Sequence, residues 1–145
     1  MKFVLQRVLS ASVTVEGQVV GQIGRGYLLL VGIASGDDET TVRRLAADVA
    51  KARLMSDPQG KMGVNLKDAG AEALAVSQFT LLADFSKGNR PSFNGAAKPE
   101  VARPLFDLFV RELSASLGRP VPTGVFGADM RVELVNDGPV TVVLS

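Results

Sequence analysis

Residues 27–34, YLLLVGIA, constrain the fold of this chain more than any other segment. The run is apolar on both faces of a strand, so it must be covered on two sides and reads as a central strand. It is far shorter than the roughly 20 residues needed to span a bilayer. The segment before it is different in kind. FVLQRVLSASVTVEG (3–17) contains a two-residue alternation, with Val13 and Val15 on one side and Ser12 and Thr14 on the other. EGQ at 16–18 predicts a tight turn, VVGQI a return strand, and GRG at 24–26 a second turn. The opening therefore reads as an antiparallel meander.

The period then changes. SGDDE at 35–39 puts three acids where a helix N-terminus favours them. Val42, Leu45, Ala46, Val49 and Ala52 recur at helical spacing, with Arg43, Arg44 and Lys51 mainly off that stripe. SDPQGK at 56–61 predicts a loop, and ALAVSQFTLLA (73–83) another strand-like segment. DFSKGNRPSFNGAAKP (84–99) is a long polar loop, and loops of that length in a compact domain are often functional. A second helical stripe runs over 101–117, with Pro99 near its first turn and Gly118 as its stop. Pro104 should kink this helix or confine its regular part to the residues after it. ADMRVELVN and PVTVVLS predict two closing strands. The sum is one α+β domain, residues 1–145, with a mostly antiparallel, barrel-like sheet and two helices covering one side.

Composition bounds the chemistry. There is no Cys and no His among the 145 residues. Zinc sites built on those ligands are excluded, as are cysteine catalysis and any triad that needs histidine. Proton transfers must use water, carboxylates, Lys, hydroxyls, backbone or the substrate. The formal net charge of +1 neither suggests nor excludes a nucleic-acid partner. MKFVLQRV lacks a signal-peptide core, so a cytoplasmic location is expected.

Several residues carry two readings. In strand form, SQFTL (77–81) would put Ser77, Phe79 and Leu81 on one face and Gln78 and Thr80 on the other. Gln78 and Thr80 either meet a ligand or face solvent. Arg90 in GNRPSF is a phosphate contact or a plain loop cation. Lys61 and Asn65 are a substrate contact or an exposed loop. Asp37, Asp38 and Glu39 are explained by helix capping better than by a metal, and the GRG glycines by turns better than by a phosphate loop. Arg7 interrupts an apolar strand; if buried, its planar fork requires acceptors. Gly138 and Pro139, in NDGPVT (136–141), interrupt the last hydrophobic run, where neither supports a β-ladder.

SQFTL and NDGPVT together resemble the two signature motifs of the D-aminoacyl-tRNA deacylase family. RPSF (90–93), FGADM (126–130) and the opening QRV and ASVTV are also similar, so the resemblance spans essentially the whole chain. It implies that family's fold and a homodimer that hydrolyses the ester between a D-amino acid and the 3′-terminal adenosine of tRNA. It implies no metal or organic cofactor, no membrane partner and no DNA partner.

The resemblance also assigns roles. Ser77, Gln78, Phe79 and Thr80 become the catalytic floor and walls of a pocket, with N–H groups near Phe79 and Thr80 facing the developing oxyanion. Phe79 and Met130 become candidates to border the adenosine. Gly138-Pro139 becomes a Gly-cisPro element inserted into the other subunit's pocket. Its carbonyls would take the substrate ammonium and fill the volume an L-side chain needs. Glycyl esters, having no side chain, should enter. Arg7 becomes the brace of the partner's element. The 2′-hydroxyl of the terminal ribose would help activate or position water. Two alternatives remain at this point: a Thr80-dependent esterase or peptidyl-tRNA hydrolase, and a noncatalytic dimer that binds RNA ends.

Overall fold

Strand β1 (Lys2–Val15) organises the molecule because its 14 residues are long enough to pair along both edges. The computed structural model describes residues 1–145. After β1 come β2 (Gln18–Ile23), β3 (Gly26–Gly32), α1 (Glu39–Lys51), β4 (Met55–Ser56), β5 (Met62–Val64), β6 (Glu72–Ser77), a 3₁₀ turn (Phe79–Leu82), α2 (Pro99–Leu117) and β7 (Arg131–Leu144). Five strands form one sheet: β2 and β3 lie on one edge of β1, β7 on the other, and β6 pairs with β3 in parallel. β4 and β5 form a separate small hairpin. The α+β class, the mostly antiparallel sheet and the two helices agree with the sequence.

The first hairpin closes on Glu16 and Gly17, both at positive φ (50° and 79°), between Val15 and Gln18. That backbone matches the twist of the flanking strands. The meander is not what forms next. Ala11 faces Ile23 and Val8 faces Gly26, three residues on along each strand, so the register runs unbroken through GRG. Gly24-Arg25 is a bend in one long returning arm rather than a reversal. Gly26 is needed there for another reason: a Cβ on it would run into the Glu72 backbone of the neighbouring β6.

The core lies on both faces of this curled sheet. Twenty-three buried residues from the two helices, the outer sheet face and the connections form the larger part, including Phe3, Leu29, Leu45, Phe109 and Leu113. Seven more (Val8, Ala11, Val13, Ile23, Leu28, Leu74 and Val76) fill the inside of the curl. Each fully buried Leu or Phe contributes about 1.5–3 kcal/mol, so the larger cluster dominates. β3 supplies both clusters, which is why YLLLVGIA is apolar on both faces.

The acids at 37–39 divide their tasks. The Asp38 carboxylate accepts the Thr41 N–H at 2.9 Å and caps α1, which holds it below the usual aspartate range. Asp37 takes the N-terminal ammonium at 2.7 Å and the Ala34 N–H. Glu39 pairs with Arg43 along the helix. Helix α2 runs without a break from Pro99 to Leu117, so the expectation that its regular part begins only after Pro104 is not met. Pro104 is exposed and early in the helix, and leaves only the Glu100 carbonyl without its usual donor. Gly118, at φ 70°, ends the helix as expected. No helix is long and apolar enough to cross a membrane.

Candidate functional site

Strand β6 ends earlier than its sequence suggests, and a pocket forms where it ends. The Gln78 N–H makes the last sheet-like bond, to Val31 O at 2.8 Å. The chain then turns into the 3₁₀ segment, so SQFTL is not a strand and its two-face alternation fails. The approach of this turn to β3 depends on Gly32. A Cβ there would lie 2.6 Å from Leu82 Cδ2 and 3.1 Å from the Gln78 carbonyl oxygen. Gly32→Ala is therefore expected to cost about 1–3 kcal/mol of stability through overpacking. It should also displace Gln78 and lower kcat/KM. Denaturant melts alongside kinetics check this; an unchanged kcat/KM would show that Gly32 does not position the site.

Turning out of the strand brings Ser77, Gln78 and Phe79 onto one wall of a cavity of about 550 Å³. The opposite side comes from the loop before α2, the first turn of α2, the Phe126–Met130 loop and Val132 of β7. Phe93 packs edge-on to Phe79 with ring centroids 5.1 Å apart. Arg103 lies 5.1 Å from the Phe126 ring centroid and donates to its carbonyl at 3.3 Å, fixing that wall. Of the sixteen lining residues, eleven are hydrophobic and one, Lys98, is ionisable. Thr80 stands just outside the lining, exposed, with its hydroxyl accepting from the Gln78 amide. The first N–H groups of the turn, on Phe79 and Thr80, precede the first internal bond, Leu81 N–H to Gln78 O.

The other expected residues lie elsewhere. Between the pairs Val8–Asn136 and Gln6–Thr141, β1 has one residue, Arg7, and β7 has four. Asp137–Val140 are therefore pushed out as a bulge on the free edge of the sheet. The two closing strands expected from the sequence are one strand interrupted by this bulge. The Gly138-Pro139 peptide is cis, and both residues are exposed. Gly138 has φ 144°, and a Cβ on it would meet the Val140 N and Cγ2 at 2.7 Å.

Arg7 is buried, and its Nε and Nη1 both find acceptors. Nε donates to Asp137 O at 3.0 Å, and Nη1 to Leu54 O at 2.9 Å and to Ser56 Oγ at 3.4 Å. Within this chain it holds the chain's own bulge. Beneath the same segment, burial pushes the Tyr27 hydroxyl above its usual range; it donates to Ala52 O and accepts from Leu54 N, each at 3.1 Å.

Asn136 went unnoticed in the sequence. Its side chain closes the bulge, accepting the Val140 N–H at 2.9 Å and donating to Val140 O and to Thr141 Oγ1. The signal was present, since an Asn two residues before Gly-Pro is positioned for a local side-chain turn. Phe93, Phe126 and Lys98 were also missed as wall residues, because only the tertiary fold brings them together.

Ser77, Gln78, Phe79 and Met130 thus share the pocket, with Thr80 at its rim, while Arg7, Gly138 and Pro139 do not line it. Val132 lines the pocket, and Gly138 is six residues further along the same strand, about 20 Å at strand spacing.

Comparisons with known proteins identify the family. D-aminoacyl-tRNA deacylases from Chromobacterium violaceum and Thermomicrobium roseum are each 58% identical to this chain over 142 residues. The match covers 98% of this chain in both cases, and 95% and 92% of the relatives. The solved structure of a probable eukaryotic D-amino acid tRNA deacylase shares the fold, with a TM-score of 0.85 at 17% identity over 99% of this chain and 97% of that one. The solved structure of a c-Myc DNA Unwinding Element Binding Protein superposes with a TM-score of 0.92 at 38% identity, covering 100% of this chain and 98% of that one. That likeness overturns the exclusion of a DNA partner. The physical reason is plain, since aromatic and apolar walls stack bases without reading the sugar. The D-Tyr-tRNA(Tyr) deacylase family matches residues 4–145, and this chain belongs to that family.

Proposed function

We propose that this chain hydrolyses the ester joining a D-amino acid to the 3′-terminal adenosine of tRNA, acting as a homodimer in the cytoplasm. The observation that carries the reading is the character of the pocket: aromatic and apolar walls, the Ser77-Gln78-Phe79 edge, and no carboxylate among the lining residues. Such a site binds and orients an aminoacyl nucleoside and offers neither a carboxylate nor a histidine as a base.

In this mechanism the adenosine lies against Phe79 and Met130, and the aminoacyl group against Ser77 and Gln78. The ribose 2′-hydroxyl beside the ester positions and activates a water. Water adds to the ester carbon, the bond to the ribose 3′-oxygen breaks, and the proton lost by water ends on that oxygen. The Phe79 and Thr80 N–H groups face the oxyanion that forms between these steps. Thr80 sets the Gln78 amide by hydrogen bonding. Gly138-Pro139 enters from the partner subunit and occupies the space an L-side chain would need. Its outward placement, about 20 Å along β7 from its own chain's pocket, favours this arrangement. Arg7 and Asn136 act as positioning residues for that bulge.

Paired assays on D- and L-aminoacyl-tRNA test the proposal. The D-ester and the glycyl ester should be cleaved and the L-ester spared; cleavage of both isomers at similar rates would overturn it. The likeness to the c-Myc DNA Unwinding Element Binding Protein favours a second reading, binding of nucleic-acid ends without hydrolysis. In that case neither ester is cut while RNA and DNA ends are retained.

A further inference from the structure

Residues 84–92 form a projecting hairpin loop beside the pocket that the proposed chemistry does not use. Its base is one antiparallel bridge: Asp84 N–H to Ser92 O and Ser92 N–H to Asp84 O, both 2.8 Å. The next residue, Phe93, packs against Phe79 in the pocket wall, so the loop's root is tied to the site. Arg90 is three residues from Phe93 and so within about 10 Å of it. Between the two bridge residues, every side chain from Phe85 to Arg90 is exposed.

Three of those side chains have the chemistry of single-strand binding. Phe85 is 58% exposed and packs on no other aromatic ring, unlike Phe79 and Phe93. Lys87 and Arg90 pair with no carboxylate, whereas Arg7, Arg43 and Arg44 do. The one acid of the loop, Asp84, turns its carboxylate onto the Ser86 N–H at 2.8 Å. An exposed aromatic flanked by two cations that pair with no carboxylate has the make-up of a base-stacking site.

We propose that the 84–92 hairpin binds the single-stranded 3′ tail of tRNA just inside the terminal nucleotide, with Phe85 stacking on a base and Lys87 and Arg90 taking phosphates. This rests on the functional reading above, since the terminal adenosine must occupy the pocket for the tail to pass the loop. The hairpin then adds affinity for the tRNA end without touching the ester.

The test compares Phe85→Ala, the double variant Lys87→Gln/Arg90→Gln and the distant control Lys51→Gln. Each is assayed on D-aminoacyl-tRNA across a salt series and on the 3′-D-aminoacyl-adenosine fragment, which lacks the tail. Phe85→Ala should weaken use of tRNA by about 5- to 100-fold, in KM rather than kcat. The double variant should flatten the slope of log affinity against log salt by about 1.4, or 0.7 for each lost phosphate contact. The control should do neither, and the ratio of tRNA to fragment efficiency should fall only in the loop variants. Unaltered tRNA kinetics and salt slope in both loop variants would overturn the proposal. Equal losses on the fragment would also overturn it, by assigning the loop to the pocket. A wild-type protein that cuts no D-aminoacyl-tRNA would instead refute the functional reading. The salt slope for binding deacylated tRNA would still test the hairpin.

Discussion

Replacing the terminal 2′-hydroxyl of D-aminoacyl-tRNA by hydrogen should lower the single-turnover rate by about 10²–10⁴-fold, the range of a lost general acid–base group. Binding should change little. The expectation comes from the make-up of the pocket, in which the lining residues include no carboxylate and the chain has no histidine or cysteine. The substrate's own hydroxyl is the proton-active group closest to the ester. Thr80 is the competing candidate, and its surroundings argue against it. Its hydroxyl is exposed and accepts from the Gln78 amide, and an amide N–H cannot take a proton from a nucleophile. Thr80→Ala should therefore keep measurable turnover while the 2′-deoxy substrate does not. A trapped acyl-Thr80, or turnover lost in Thr80→Ala and kept on the 2′-deoxy substrate, would reverse the assignment.

How much of this was readable in the sequence depended on the range of the interactions involved. Local period identified β1, β3 and both helices, and local chemistry identified the Asp38 cap and the Gly118 stop. Most of the failures were decided by partners distant in the chain. GRG looks like a turn, but pairing with β1 carries the strand straight through it. QFTLL is apolar enough for a strand; what ends the strand is the close approach to Gly32, 46 residues earlier than Gln78. NDGPVT shows that a ladder is interrupted. Its form, four residues against one, exists only in register with Arg7. The signature residues were found by resemblance, whereas the places of Phe93 and Phe126 in the pocket wall required the fold.

Gly138→Ala should abolish D-selective turnover while leaving a folded protein, the largest effect expected of any single substitution here. At φ 144° an L-residue is strained by about 1–3 kcal/mol, and the new Cβ would lie 2.7 Å from two atoms of Val140. Val140 cannot retreat freely, because its N–H and carbonyl are both held by Asn136. The bulge must therefore change shape at the residues proposed to enter the partner's pocket. Arg7→Ala and Asn136→Ala loosen the same bulge from its two sides and should give milder forms of the defect. Arg7→Ala should also lower stability, since it leaves the acceptors on Leu54 and Asp137 unpaired at about 1–3 kcal/mol each. Subunit mixing separates this account from a structural one. When Gly138→Ala chains are unfolded and reassembled with Phe79→Ala chains, each mixed dimer has one pocket with both lesions and one with neither. Random pairing then restores about a quarter of wild-type activity if the bulge acts across a two-fold dimer. It restores none if the bulge serves its own chain's pocket. A protein that sediments as a monomer at nanomolar concentration with full activity would equally rule out action of the bulge between subunits.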